Sequence, residues 1–191
     1  MLDEILKYDT ELFLYLNNLG SETWDWLWLG ITNKFIFGPI LGLLLLFLFQ
    51  KNFSWKGVLI LMVIVAIMIT FTDQITNVFK RGFERPRPCG ESDLIDQMRF
   101  IAVRCGKYGF FSGHSSNSMA VAIFGGLLLK AYYKNLIYIL ILVSLIVAYS
   151  RIYLGVHYPA DIVCGLTFGA FSGFMFYKLA RFLLSKYALK K

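Results

Sequence analysis

The sequence predicts an all-α protein, a polytopic bundle of five to six transmembrane helices with an N-terminal amphipathic interfacial helix. Composition is the first observation: 58% of the 191 residues are hydrophobic and only 16% are charged, whereas a soluble domain carries about 25% charged residues. The second observation is that the apolar residues form runs near the length that crosses a bilayer, roughly 20 residues. We therefore expect residues 1–191 to form one membrane domain.

The first 20 residues are predicted to form the interfacial helix. Apolar residues recur along one helical face over residues 2–20, while most acidic and amide residues fall on the other face. This pattern is typical of a helix that lies in the plane of the membrane surface. The same apolar face is equally suited to packing against the helix bundle, so both placements stay open.

Five long apolar stretches follow, over residues 24–50, 56–79, 113–131, 134–150 and 159–185. The first is interrupted by Thr32-Asn33-Lys34 and by a Gly38-Pro39 step. It is therefore either one kinked span or a short helix followed by a span. In the last stretch glycine recurs at every fourth position, at Gly165, Gly169 and Gly173, which favours close packing between helices.

Basic residues predict the orientation of the spans. With five spans, the lysines near residues 51–56 and 130–134 and the basic C-terminal end share one side, which the positive-inside rule makes cytoplasmic. The loops 80–112 and 151–158 then lie together on the outer side. The net charge of +7 has this explanation, and because no nucleic-acid motif is visible we expect no nucleic-acid partner.

Three polar clusters interrupt the apolar background, at residues 80–88, 110–116 and 150–161. In the third cluster, Pro159 suits the first position of a helix, so Asp161 falls in the first turn, where its carboxylate can reach back over the helix start. There it would fix the tautomer of His157 and leave the other ring nitrogen free as a nucleophile. The alternative is an ordinary helix cap beside an interfacial histidine.

The second cluster has the pattern of an anion site at a helix start. Ser112 is a natural N-cap, Gly113 lets a ligand approach the backbone, and His114 in the first turn is positioned to donate a proton. The first N–H groups of such a helix bind anions. The alternative is a capped helix with a buried histidine.

Cationic side chains accompany both histidines. Lys80, Arg87 and Arg151 supply positive charge suited to phosphate oxygens, although any one of them could instead extend to the lipid headgroups. We assign only that headgroup role to the other basic residues of this side, Arg81, Arg85, Arg99, Arg104 and Lys107. Three cations, a helix N-terminus and two histidines together match the charge of a phosphoryl transition state. No acidic cluster suits Mg²⁺, so we expect a site without metal or cofactor.

These residues form three ordered motifs, Lys80-x6-Arg87-Pro88, Phe111-Ser112-Gly113-His114 and Ser150-Arg151-x5-His157-x3-Asp161. The set resembles the type 2 phosphatidic acid phosphatase (PAP2) family, the membrane relatives of the vanadium haloperoxidases. The family has Pro where this chain has Phe111, a difference that affects the loop rather than a catalytic atom.

The resemblance implies a bacterial lipid phosphate phosphatase of the inner (cytoplasmic) membrane, with its active site facing the periplasm and its C-terminus in the cytoplasm. His157 would form a phosphohistidine, Asp161 would orient it, and His114 would protonate the leaving group and then activate water. The phosphate would be held by Lys80, Arg87, Ser112, Gly113 and Arg151. The substrate would be undecaprenyl diphosphate, phosphatidylglycerophosphate, phosphatidate or lipid A.

The loop 89–108 is the expected place for substrate selectivity. Cys89 and Cys105 flank it and could form a disulfide if the loop faces an oxidising compartment. Two other functions stay open: a vanadate-dependent haloperoxidase-like oxidoreductase, which uses the same phosphate-shaped site, and a non-catalytic lipid-binding protein, which would not need every catalytic side chain. The sequence does not predict the oligomeric state.

Overall fold

The structure is a computed structural model that describes residues 2–33 and 37–187. Within those residues the regular secondary structure is helical, apart from one isolated bridge between Pro86 and Tyr108. A short 3₁₀ turn covers Pro88–Gly90. The α-helices are α1 (Leu2–Asn18), α2 (Glu22–Thr32), α3 (Phe37–Asn52), α4 (Trp55–Phe83), α5 (Ser92–Ile95), α6 (Gly113–Leu129), α7 (Leu136–Tyr153) and α8 (Pro159–Tyr187).

The all-α class is therefore confirmed. Three of the helices, α4, α7 and α8, are long and apolar enough to cross a membrane. Helices α3 and α6 have 16 and 17 residues, so each is about 25 Å long at 1.5 Å per residue, somewhat short of a hydrocarbon core of about 30 Å. The prediction of five to six spans stays a prediction.

Helix α6 lies at the centre of the bundle and packs most closely on α8. The glycine stripe of α8 makes this approach possible, because a Cβ atom on Gly165 would lie only 2.6 Å from the carbonyl oxygen of Ser112. Added Cβ atoms on Gly169 and Gly173 would likewise collide with the α6 backbone. The sequence prediction that these glycines serve close packing is confirmed, and the packing fixes the starts of α6 and α8 side by side.

Helix α1 packs against α7 and α8 through a face that is partly polar. Asp9, Phe13 and Asn17 are buried on this face. The Asn17 side chain donates to the carbonyl oxygens of Arg99, Ile152 and Tyr153 at 2.9–3.0 Å and accepts from the Arg99 N–H at 2.7 Å. Large apolar side chains such as Ile5, Tyr8 and Leu12 remain exposed on the other side of α1. Bundle packing is therefore present, and contact with the membrane surface stays a prediction.

Several predicted boundaries differ from those observed. The stretch 24–50 follows the second of its two predicted arrangements, a short helix (α2) followed by a longer one (α3), with Lys34 lying outside the described residues. The outer loops predicted at 80–112 and 151–158 are shorter, because α4 continues to Phe83 and α7 continues to Tyr153. Lys80 and Arg151 therefore lie on the last turns of rigid helices. Helix α4 stops where Glu84 takes the left-handed conformation, with φ 48°.

Candidate active site

The start of α8 holds His157 and Asp161 together. With Pro159 at the first helical position, the Asp161 Oδ2 accepts a hydrogen bond from the Tyr158 N–H at 3.1 Å and lies 3.2 Å from Nδ1 of His157. The histidine is 2% exposed and the carboxylate is fully buried. A carboxylate on Nδ1 fixes the tautomer in which Nδ1 carries the proton and Nε2 carries the lone pair.

Arg85 also contacts Asp161, and sequence reasoning missed this role. Its guanidinium donates to Asp161 Oδ1 at 2.9 Å and to Asp9 Oδ2 at 2.6 Å, and it lies 4.2 Å from the centre of the Tyr158 ring. The other Asp9 oxygen accepts from the Ala160 N–H at 2.8 Å. The assignment of Arg85 to the lipid headgroups is therefore wrong, since its side chain is only 17% exposed.

Arg99 is a second correction to the headgroup assignment. It donates to both carboxylate oxygens of Asp25 at 2.9–3.0 Å and lies 5.5 Å from the centre of the Tyr153 ring. Tyr153 in turn donates to Asp25 at 2.8 Å. This cluster fastens α2 to the end of α7. By contrast, Arg81, Arg104 and Lys107 are exposed, in keeping with the headgroup assignment.

The start of α6 lies beside the start of α8. Ser112 caps α6, with its Oγ accepting from the N–H and the hydroxyl of Ser115 at 3.4 and 3.0 Å. The Ser112 N–H donates to the Asp161 carbonyl oxygen at 3.0 Å. A Cβ atom on Gly113 would lie 3.8 Å from Lys80 Nζ. The free N–H groups of this helix start, which favour an anion, therefore lie beside Lys80.

The three predicted cations come together around the two histidines. Lys80 ends α4, Arg151 lies near the end of α7, and Arg87 lies in the loop after α4; their charges interact with one another and with His114 and His157. The packing has arranged like charges close together, which is costly unless an anion joins them. The cluster is suited to binding a multiply charged anion.

Arg151 and Arg87 are each held by neutral partners. Arg151 is 9% exposed, donates from one terminal nitrogen to the Thr32 hydroxyl, and has a buried Nε without a partner among the described residues. Arg87 donates its Nε–H to the Tyr108 carbonyl oxygen at 3.0 Å and packs so closely on Gly106 that an added Cβ would lie 3.1 Å away. Both guanidinium groups keep donors available for a ligand.

Burial and neighbouring charge set the protonation state of His157. Burial lowers the pKa of His157 well below its ordinary value, and the charges of Arg87, Arg151 and Lys80 lower it further. The imidazole is therefore neutral at physiological pH, which keeps its lone pair available for attack. Burial also raises the pKa of Tyr158 to about 12, so the phenol over which Arg85 stacks stays neutral.

A disulfide joins Cys89 to Cys105, and Arg87 and its partner Tyr108 lie just outside the two ends of the loop that it closes. In the same flanking segments the Gly109 N–H donates to the Arg85 carbonyl oxygen at 2.9 Å. A Cβ atom on Gly109 would lie 2.9 Å from Asp161 Oδ2. The segment that follows the loop therefore covers the His157–Asp161 pair directly, and a glycine is needed where it does so.

A cavity of about 750 Å³ runs from Lys80 and His114 into the bundle between α3, α4, α6 and α7. Its deeper walls are apolar and include Leu45, Phe49 and Met62. Such a cavity can hold hydrocarbon while a phosphate occupies the charged end. Among residues 2–33 and 37–187, no three His, Cys, Asp or Glu side chains are grouped to bind a metal ion.

Comparison with known proteins agrees with this geometry. The PAP2 superfamily profile matches residues 55–184, which include all three motifs. Lipid A 4'-phosphatase of Bacteroides thetaiotaomicron is 36% identical over 189 residues, covering 97% of this chain and 83% of that protein. The Porphyromonas gingivalis enzyme of the same name is 32% identical over 190 residues, covering 97% and 78%. The crystal structure of Aquifex aeolicus LpxE superposes with a TM-score of 0.69 at 25% identity, covering 88% of this chain and 94% of that one. The chain belongs to the PAP2 superfamily and is a membrane lipid phosphatase.

Proposed function

We propose that this phosphatase removes a phosphate from a lipid A-type glycolipid through a phosphohistidine on His157. The observation that carries the proposal is the buried His157–Asp161 pair, with a hydrogen-bonding distance of 3.2 Å, beside three cations. The choice among lipid phosphates is supported by the two lipid A 4'-phosphatases, each of which aligns with 97% of the chain. Undecaprenyl diphosphate, phosphatidylglycerophosphate and phosphatidate are the competing substrates.

In the first step, Nε2 of His157 attacks phosphorus and the bond from phosphorus to the lipid oxygen breaks. His114, which is protonated in the substrate complex because the phosphate offsets the surrounding cations, donates that proton to the lipid oxygen, so the dephosphorylated lipid leaves as an alcohol. Asp161 holds Nδ1 and stabilises the positive charge that develops on the ring. In the second step, His114 takes a proton from water as its oxygen attacks phosphorus. The phosphorus–nitrogen bond breaks, which releases inorganic phosphate and restores His157.

Charge stabilisation supplies much of the rate in this proposal. Lys80, Arg87 and Arg151 would surround the equatorial oxygens of the transferred phosphoryl group, with Ser112 and the Gly113 N–H at the helix start. The Nε of Arg151, which has no partner among the residues that the structure describes, supports this assignment, because a buried donor without an acceptor is costly until a ligand supplies one. These cations take the place of a metal ion, so the reaction is metal-independent.

We further propose that residues 1–191 form one domain with five to six spans in the bacterial inner membrane. The Cys89–Cys105 disulfide supports an active site that faces the oxidising periplasm, with the basic C-terminal end in the cytoplasm. Helix α1 would lie near the periplasmic surface of the inner membrane, because it packs against the active-site ends of α7 and α8. The acyl chains of the substrate would stay in lipid or enter the apolar cavity.

The test is phosphate release by the detergent-purified full chain from each of the four lipids, with EDTA present. We expect lipid A to be the preferred substrate, vanadate to inhibit the reaction, and His157→Ala to abolish it while elution from a sizing column stays unchanged. An acid-labile, alkali-stable phosphoprotein should accumulate in rapid-quench samples of the native chain. A strict Mg²⁺ requirement, or near-normal turnover by His157→Ala, would overturn the mechanism.

A further inference from the structure

Part of the cavity wall next to the phosphate site is polar, and the phosphatase chemistry does not use it. Asp73 and Asn77 lie one turn apart on α4, and Asn117 lies opposite them on α6; all three line the cavity. The Asn117 side-chain amide donates to Asp73 Oδ1 at 2.7 Å. These three residues are called the polar belt below.

The polar belt lies between the charged end of the cavity and its apolar depth. Lys80 Nζ and Asp73 Oδ1 lie 3.8 and 3.9 Å from the same point, the position of a Cβ atom on Gly113. On the other side of Asp73, the next turns of α4 present Ile69, Ala66 and Met62 to the cavity. A lipid whose phosphate lies at Lys80 and whose chains enter the apolar part must place its connecting group against the belt.

An acid in this place is unusual and needs an explanation. Asp73 lies on α4, one of the helices that can cross a membrane, where ionisable side chains are costly and mark functional sites. The charges of Asp73 and Lys80 interact. Among the described residues, however, the two side chains form no ion pair within 4 Å, so Asp73 is not simply the counter-ion of Lys80. The hydrogen bond from Asn117 occupies one carboxylate oxygen and leaves acceptor capacity on the other.

The chemistry of a carboxylate determines what the belt can bind. Asp73 repels phosphate oxygens and accepts hydrogen bonds from hydroxyl or amide N–H groups. Phosphatidate and undecaprenyl diphosphate carry no such donor next to the phosphate, and phosphatidylglycerophosphate carries a hydroxyl but no amide N–H. The phosphate of an N-acylated amino sugar has both a hydroxyl and an amide N–H nearby, on ring carbons within two or three bonds of the phosphate oxygen.

We propose that Asp73 and Asn117 form a subsite for the hydroxyl and amide N–H groups of a sugar ring that carries the phosphate. This inference rests on the proposed function and deepens it, since it names the part of a glycolipid that the enzyme recognises. Lys80, Arg87 and Arg151 select a phosphate, and the belt selects the group to which that phosphate is attached.

The test compares Asp73→Asn with the native chain on two measurements. The first is kcat/KM for bis-phosphorylated lipid A, whose sugars are glucosamines, and the second is the inhibition constant of inorganic phosphate in the same assay. We expect kcat/KM to fall about 10- to 100-fold, as is usual when a charged acceptor of a substrate hydrogen bond is lost. The inhibition constant of inorganic phosphate should change by less than about threefold, because Asp73 is not among the groups proposed to hold the phosphate.

Two further variants separate recognition from folding. Asn117→Ala should lower kcat/KM for lipid A with little effect on inhibition by phosphate. Thr70→Ala is the matched control, because Thr70 is an exposed residue of α4 whose hydroxyl, within the described part of the chain, bonds only to the Ala66 carbonyl oxygen. The kinetics of this variant should stay native. Each variant should elute and melt like the native protein.

The outcomes distinguish this inference from the proposed function. If Asp73→Asn weakens phosphate inhibition as strongly as it weakens lipid A turnover, Asp73 acts through Lys80 and the subsite is wrong, while the phosphatase mechanism stands. An unchanged kcat/KM for lipid A also removes the subsite. If instead the native chain hydrolyses other lipid phosphates but not lipid A, both the glycolipid proposal and the subsite fail. A native-like His157→Ala would overturn the phosphohistidine mechanism alone.

Discussion

Asp9 offers the sharpest test of how the fold controls the nucleophile. It lies on α1, far from the three motifs in sequence, yet one of its oxygens accepts from Arg85 at 2.6 Å and the other from the Ala160 N–H at 2.8 Å. Arg85 in turn holds Asp161 at 2.9 Å. The substitution Asp9→Asn keeps the size of the side chain but replaces one oxygen with an NH₂ group, which cannot accept from either donor.

The expected loss follows from the contacts. At least one hydrogen bond is removed from Arg85 or from the helix start, and hydrogen bonds that involve a charged group contribute about 1.5–3 kcal/mol. If this entire free energy is lost from the transition state, because Asp161 is no longer held in its orientation, kcat falls about 10- to 100-fold. Because Asp9 does not contact the substrate in this arrangement, KM should change little. The free energy of unfolding should fall by a similar amount, about 1–3 kcal/mol.

The assay is steady-state phosphate release together with thermal unfolding in the same detergent. Glu11→Gln is the matched control, because Glu11 lies on the same helix and the substitution removes the same charge. Among the described residues, the ion pair of Glu11 is an exposed one with Lys7 at 3.9 Å. We expect that variant to stay within about twofold of native kcat. Native kcat in Asp9→Asn, or an effect confined to KM, would refute the coupling of α1 to Asp161.

Three other predictions concern the loop, the nucleophile and the helix contact. Cys105→Ser opens the disulfide loop next to Arg87 and should lower both kcat/KM and the thermal midpoint. The expected loss in the free energy of unfolding is about 3 kcal/mol for a loop of this length. Cys164→Ser, which removes a free thiol, should change neither quantity, and equal effects of the two substitutions would contradict the role of the disulfide. Since burial and nearby cations lower the pKa of His157, its imidazole should stay neutral as pH falls through 6.5 and become protonated only well below that value. Titration by ¹⁵N-histidine NMR can follow this change in a chain with two histidines. A titration midpoint near 6.5 would show that His157 is more accessible to solvent, or its surroundings less cationic, than described. Gly165→Val should reduce folded yield and activity together, because even a Cβ atom there would lie 2.6 Å from the Ser112 carbonyl oxygen; native yield would mean that α6 and α8 pack less closely.

The parts of the site that sequence could predict depend on short-range spacing. Asp161 reaches back to His157 because four residues and a proline at the first helical position dictate one turn of helix. Ser112 caps α6 for the same local reason. The helical class and the apolar stretches can likewise be predicted from sequence, because a hydrophobic run of membrane length must satisfy its backbone hydrogen bonds internally and therefore favours a helix.

The parts that sequence could not predict depend on contacts between distant segments. Arg85 and Arg87 lie two residues apart with the same charge, so no local pattern distinguishes them; their roles separate only when α1 brings Asp9 to Arg85 across 76 residues. Asp9 did leave a weak signal, since it shares a helical face with Phe13 and Asn17 at four-residue spacing. The ends of α4 and α7 are polar and resemble loop sequence, although both helices keep their hydrogen bonds through Lys80 and Arg151.

The different partners of the two arginines explain how the site can be cationic without losing its nucleophile. Arg85 is matched by two carboxylates, those of Asp9 and Asp161, so its charge is satisfied before any ligand arrives. Arg87 bonds through its Nε to a neutral carbonyl oxygen, and Arg151 bonds to a hydroxyl. The unmatched charge therefore lies on the residues that would contact phosphate. A phosphate anion that enters the site would relieve this mutual repulsion, beside a histidine whose pKa is lowered first by burial and then by the same cations. The repulsion among the cations thus favours the binding of an anionic substrate.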